Sequence, residues 1–135
     1  MVAPRSTIAI LGDGGWGTTL AIHLHRLGHR VTWWGAFPDY LTVLDRQRAN
    51  VKFLPGIKIP RAIRITPDLS NAVCSVQIVV LAIPSQHLRS VVRRLKGQPL
   101  NDVAVVSVAK GIEQGSLMRM SQIVSEELGR VRLAV

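Results

Sequence analysis

The sequence predicts an α/β domain built on a doubly wound parallel sheet, in three layers with helices on both faces. Three observations carry this. Short β-rich runs alternate along the chain with stretches whose apolar residues recur at helical spacing. Two of the runs, Gln77–Ile83 and Val103–Val108, are nearly all apolar, as strands covered on both faces are. A glycine-rich stretch, Gly12 to Gly17, separates the first run from the first helical one.

Taken in order, Thr7–Leu11 reads as a strand ending abruptly at Gly12. From Trp16, Leu20, Leu24 and Leu27 fall on one helical face, and Gly28 is placed to close that helix as its C′ residue. Arg30–Trp34 is a second strand, carried by Val31, Trp33 and Trp34. Pro38 starts the next helix, with Leu41, Leu44 and Arg48 along it and Asp39 favouring its first turn. Phe53–Pro60 reads as a loop, because two prolines and a glycine interrupt either ladder. Ala62–Ile65 is a short third strand, and Thr66-Pro67-Asp68 starts a short helix after which Cys74 is expected as a small buried residue. Gln77–Ile83 is the fourth strand. Ser85 is expected to cap the following helix, on which Leu88, Val91, Val92 and Leu95 share a face. Val103–Val108 is the fifth strand, Leu117, Met120, Val124 and Leu128 mark a last amphipathic helix, and Val131–Val135 begins a sixth strand. A chain that stops on an apolar strand, with no polar tail, is the pattern expected of a cut through a longer protein.

Composition narrows the function. With 135 residues, 47% hydrophobic and 19% charged, the chain can bury an independent core and is not a disordered or fibrous protein. Lys and Arg outnumber Asp and Glu by 17 to 8, a net +9 that first suggests nucleic acid. Six aromatic residues cannot supply an array of base-stacking rings, and the charge is scattered arginine. Its densest patch, Arg89, Arg93, Arg94 and Lys96, reads as the solvated outer face of one helix, so no nucleic-acid partner is expected. The lone Cys74 excludes an intrachain disulfide. His23, His25, His29 and His87 lack partners at ligand spacing, so no metal site is expected, and no G-x-S-x-G elbow surrounds Ser85. The longest apolar stretch, Ile78–Ile83, is far short of the ~20 residues that span a bilayer, and the apolar run of the opening segment is too short for the h-region of a secretory leader and ends in glycines. A cytoplasmic protein without membrane insertion is expected.

Gly12-Asp13-Gly14-Gly15-Trp16-Gly17 matches G-x-G-x-x-G, in the required context of strand before and helix after. Gly12 permits the tight turn, Gly14 lets a pyrophosphate approach the backbone, and Gly17 lets the helix lie close to the sheet. The helix N-terminus then faces the phosphates with free N–H groups. This makes the domain Rossmann-like and its ligand a dinucleotide. An acid about 20 residues on should bind the adenosine ribose of NAD. None is present: the second strand ends in Trp34, Gly35, Ala36 and Phe37, and no Arg or Lys there awaits a 2′-phosphate. The choice between NAD and NADP stays open.

Beyond the glycines, the run Ile8–Thr19 with its Trp-Gly-Thr, the Trp34-Gly35 strand end, Phe53-Leu-Pro-Gly56, Pro84-Ser85-Gln86 and Ala109-Lys110-Gly111-Ile112-Glu113 occur in an order and spacing that resembles the bacterial-type NAD(P)-dependent glycerol-3-phosphate dehydrogenases. The resemblance covers nearly the whole chain. It implies that residues 1–135 are an N-terminal dinucleotide-binding domain, ahead of a helical substrate domain absent from this chain. The implied reaction is hydride transfer between NAD(P)H and dihydroxyacetone phosphate, giving sn-glycerol 3-phosphate for phospholipid synthesis. The implied cofactor contacts are Gly15 and Trp16, although Trp16 also reads as a core anchor of the first helix. Ala36 and Phe37 stand where the family has a His or Arg pair at the adenosine end. Lys110, at the carboxyl edge of the fifth strand, is the implied contact to both cofactor and substrate, and its charge suits a phosphate or carbonyl. Pro84 is implied to pass beside the cofactor, or else simply ends a strand. The family's substrate loop and its general acid/base lysine fall beyond Val135, so no catalytic residue is expected in this chain and no dehydrogenase activity from it alone. A stand-alone dinucleotide-binding or sensing module is the second reading. Apolar surface facing a missing domain would favour a homo-oligomer.

Overall fold

The computed structural model describes residues 4–135. Six strands form one parallel sheet: β1 (Thr7–Leu11), β2 (Arg30–Trp34), β5 (Arg64–Thr66), β6 (Ile78–Leu81), β7 (Ala104–Ser107) and β8 (Arg132–Ala134). Their order is β5-β2-β1-β6-β7-β8. The chain therefore builds outward from β1 on one side, crosses over, and builds outward from β6 on the other. β1 is the central rail, with Ile8–Leu11 opposite Val31–Trp34 on one flank and opposite Ile78–Leu81 on the other. The point where the direction of building reverses lies between the carboxyl ends of β1 and β6, which is where open sheets of this kind bind ligands.

Strand side chains alternate between two cores. Ala9, Leu11, Trp34, Val79, Leu81 and Val105 face one side, where α3 (Leu69–Val73), α4 (Ser85–Arg94) and α5 (Met120–Leu128) cover them. Ile8, Ile10, Val31, Trp33 and Val80 face the other, under α1 (Gly15–Arg26) and α2 (Pro38–Gln47). The two adjacent tryptophans of β2 thus serve opposite cores, and both are almost fully buried. This is the three-layer, doubly wound arrangement expected from the sequence.

Local expectations hold at several termini. Gly28 follows α1, Pro38 opens α2 with Asp39 in its first turn, and Asp68 caps α3 by accepting a 3.0 Å hydrogen bond from the Asn71 N–H. Others need correction. Phe53–Pro60 is not merely a loop: β3 (Ala49–Asn50) and β4 (Leu54–Lys58) form an antiparallel hairpin. Its paired positions are Asn50–Leu54 and Ala49–Lys58, so a register shift carries the intervening Pro55 and Gly56 without asking Pro55 for a ladder bond. Pro84, not Ser85, is the N-cap of α4, and the Ser85 hydroxyl instead accepts from the Gln86 amide. Leu117 lies outside the last helix, with φ 57° and 69% exposure; α5 starts at Met120, where the Gln122 side chain accepts the Arg119 N–H. Leu27 comes after α1 and is exposed. Cys74 is exposed as well, because the chain leaves α3 there in extended conformation. No helix among the described residues is long and apolar enough to cross a membrane.

Candidate dinucleotide site

The glycine turn leaves β1 at the reversal point and is held from both flanks. Gly12 has φ +127°, open to glycine at little cost, and a methyl there would collide with the Ala82 carbonyl just past β6. Its N–H donates to the Trp34 carbonyl (2.9 Å) and its own carbonyl accepts from the Trp33 indole Nε1 (2.7 Å), so β2 clamps it. A side chain at Gly17 would strike the Gly12 carbonyl, which is how α1 comes so close to the turn. Gly15 is closed off differently: a Cβ would stand 2.7 Å from the Phe53 carbonyl of the hairpin. Gly14 is the exception. Nothing lies within 4 Å of where its Cβ would be, so open space stands before the N-cap of α1. The first turn of α1 carries no acidic residue, and its leading N–H groups have no intrahelical partner. The turn is thus closed behind and open in front, a fit to the pyrophosphate of a dinucleotide.

The hairpin is tied to this turn by Asn50, which is fully buried. Its amide donates to the Asp13 carbonyl (2.9 Å) and to Thr18 Oγ1 (2.7 Å), while its Oδ1 accepts from the Tyr40 hydroxyl and the Phe53 N–H. Thr18 in turn donates to the Gly14 carbonyl at 2.8 Å. No pattern in the sequence singles out Asn50; only the fold brings residues 13, 18, 40 and 53 around it.

The other expected site residues lie at the same edge. Trp16 is 56% exposed, so its ring is no core anchor. Ala36 and the 67% exposed Phe37 follow β2 directly, and Phe37 is the N-cap of α2. Pro84 is exposed just past β6, and Lys110 is exposed just past β7. Since β2, β1, β6 and β7 are consecutive in the sheet, all these residues fall along one stretch of carboxyl edge.

The Lys110 segment is docked onto α4. The Gln86 amide donates to the Ile112 carbonyl and its oxygen accepts the Gln114 N–H, both at 2.9 Å. Arg89 grips Glu113 with two hydrogen bonds of 2.8 Å and reaches Glu127 at 2.7 Å and Glu126 at 3.1 Å. Arg93 also pairs with Glu127. The expectation of a uniformly solvated arginine face is therefore wrong for Arg89, whose side chain is only 17% exposed. Ion pairing on two helices, not solvent, accounts for it. The guanidinium beside Glu113, with the Ser116 hydroxyl, holds that carboxyl down to about 2, and Arg93 and Arg89 hold Glu127 below the usual carboxylate range. Arg94 is different again, stacked 5.3 Å from the Trp34 ring. Among the described residues no group of three metal-binding side chains occurs.

Comparisons with known proteins agree with this geometry. Residues 7–135 match the family profile described as NAD-dependent glycerol-3-phosphate dehydrogenase N-terminus. Proteins named glycerol-3-phosphate dehydrogenase (NAD(P)+) are similar: that of Chlorobium luteolum is 40% identical over 121 residues, covering 90% of this chain and 36% of its own length. That of Geobacillus kaustophilus is 42% identical over 122 residues, with the same 90% and 36%. The chain thus spans little more than a third of these relatives. Among solved structures, glycerol-3-phosphate dehydrogenase from Coxiella burnetii superposes with TM-score 0.86 at 30% identity, over 94% of this chain and 39% of that one. The enzyme of Saccharomyces cerevisiae gives 0.78 at 30% identity, over 93% and 40%. Prephenate dehydrogenase from A. aeolicus, at 16% identity and TM-score 0.68, shares the fold alone.

Proposed function

The chain belongs to the NAD-dependent glycerol-3-phosphate dehydrogenase family, and on that premise we propose that residues 1–135 are its cofactor-holding part, binding NAD or NADP. The observation that carries this is the glycine turn at the reversal point of the sheet, closed behind by Ala82 and Gly12 and open before Gly14. In this reading the pyrophosphate lies against Gly14, Gly15 and the N-terminus of α1. Trp16 and Pro84 flank the nicotinamide half, and Ala36 and Phe37 the adenosine half. Bound cofactor supplies the hydride. Lys110, held at the edge by the docking of its segment on α4, places one positive charge for a phosphate or carbonyl of the small-molecule substrate, dihydroxyacetone phosphate or glycerol 3-phosphate.

In this reading the helical substrate domain and the proton-donating lysine belong to the rest of the enzyme; this chain spans 36% of the Chlorobium luteolum relative. A cytoplasmic setting fits that chemistry. Calorimetric titration of the 135-residue chain with NADH and NADPH tests the reading. Binding in the micromolar to millimolar range is expected, with no NADH oxidation on adding dihydroxyacetone phosphate. A folded Gly14→Val variant should bind at least about tenfold more weakly, because its side chain fills the space the pyrophosphate needs. Absence of binding to either nucleotide by the folded parent would overturn the proposal.

A further inference from the structure

The end of β2 lacks the acid that receives an adenosine ribose in NAD-specific sheets, yet a carboxylate stands there. It comes from Asp13, inside the glycine turn. A Cβ built on Gly35 would lie 2.6 Å from Asp13 Oδ2 and 2.9 Å from Asp13 Cβ, so the Asp13 side chain occupies the space that a side chain at residue 35 would take. Leu41 Cδ2 would lie 2.7 Å from the same Cβ, so glycine at 35 is what leaves room for Asp13 and Leu41 together. Asp13 Oδ2 is buried and has no hydrogen-bond partner, while the residue as a whole is only half-buried. Oδ2 thus faces the interior with an acceptor left over, and a rotation of the half-buried side chain is what brings the carboxylate to the cleft.

We propose that Asp13 takes the part usually played by an acid at the end of the second strand, accepting the adenosine ribose hydroxyls and excluding a 2′-phosphate, so that this chain prefers NAD to NADP. The inference rests on the cofactor-binding reading above. Burial raises the Asp13 carboxyl above its ordinary range, against the effects of its own backbone N–H and of Lys52, as expected for a carboxylate short of donors. Ribose hydroxyls supply those donors. A phosphate supplies none and adds like charge beside a desolvated carboxylate. Lys52 is the cation acting on Asp13, and its ammonium lies 4.9 Å over the Phe53 ring. Neither Ala36 nor Phe37 can pair with a phosphate.

The test is calorimetric titration of the 135-residue parent, Asp13→Asn and Asp13→Ser with NADH and NADPH, each protein first checked by thermal melting. The parent should bind NADH at least about tenfold more tightly than NADPH. In either folded variant that ratio should fall to within about threefold, through weaker NADH and stronger NADPH binding. Equal affinities in the parent, or a ratio unmoved in the variants, would overturn the assignment of Asp13 while leaving the cofactor domain standing. If the folded parent bound neither nucleotide, the cofactor-binding reading would fail and the Asp13 proposal with it.

Discussion

The indole of Trp33 donates a 2.7 Å hydrogen bond to the carbonyl of Gly12, from the interior of one core to the floor of the glycine turn. Together with the Gly12 N–H on the Trp34 carbonyl, it fixes the one residue of the turn whose φ is accessible mainly to glycine. Trp33→Phe keeps an aromatic ring in the core and removes only the donor and some volume. An orphaned buried carbonyl and the vacated space should cost about 2–4 kcal/mol, read as a lower urea midpoint. Nucleotide affinity should fall too, because the turn loses its floor. Unchanged stability would mean that this hydrogen bond is dispensable.

Asn50 spends both donors and its acceptor on four partners, in the turn, α1, α2 and its own hairpin, so it is the natural point at which to separate the hairpin from the turn. Asn50→Ala should lower stability by about 2–3 kcal/mol, since buried polar partners are left unmet. Amide exchange in residues 51–58 should accelerate more than exchange in β1 or β6. Asn50→Asp is the sharper variant: it can still accept from Tyr40 and Phe53 but cannot donate to Asp13 or Thr18. It should destabilise the turn while sparing the hairpin bonds.

Two glycines three residues apart should respond in opposite ways. Gly17→Ala drives a methyl into the Gly12 carbonyl, and backbone cannot swing aside as a side-chain tip can. A loss of at least about 3 kcal/mol, or failure to fold, is expected. Gly14→Ala meets nothing within 4 Å and gives up only glycine's advantage at an N-cap, about 0.5–1 kcal/mol, so its melting point should stay far closer to the parent's. If the two variants melted alike, the division into a closed back and an open front would be wrong.

The parts legible in the sequence are those with a local cause. Short β-rich and nearly all-apolar runs marked the strands, the G-x-G-x-x-G stretch marked the turn, and Gly28, Pro38 and Asp68 marked helix ends through their own backbone chemistry. What escaped depended on distant residues. The β3–β4 pairing tolerates Pro55 only because the register shifts around it. Arg89 looks like any surface arginine until Glu113, Glu126 and Glu127 are brought to it from up to 38 residues away. Asp13 is one variable position of the glycine motif, and the missing acid of β2 leaves NAD against NADP open. Only the contact with Gly35 shows that the two observations are connected.

Acid should loosen the Lys110 segment before it unfolds the sheet. Glu113 is held at about 2 against an ordinary 4.5, first by Arg89 and then by the Ser116 hydroxyl. A carboxylate depressed in the folded state stabilises above its unfolded value and loses that contribution as pH falls through its folded one. The pairing is therefore fully present above about pH 4.5 and should fade between there and about pH 2. Glu127, also lowered, adds to the same slope. Urea midpoints measured from pH 7 to pH 2.5 should decline for the parent, and Glu113→Gln should show a shallower decline from a lower start. Arg89→Met should do worse at pH 7 than Glu113→Gln, because it leaves Glu113 and the 7% exposed Glu127 without their shared cation. Arg94→Ala, which gives up only a contact with the Trp34 ring, sets the scale for an ordinary arginine on the same helix. An Arg89 variant no more harmful than the Arg94 one would show that the Lys110 segment is held by Gln86 alone.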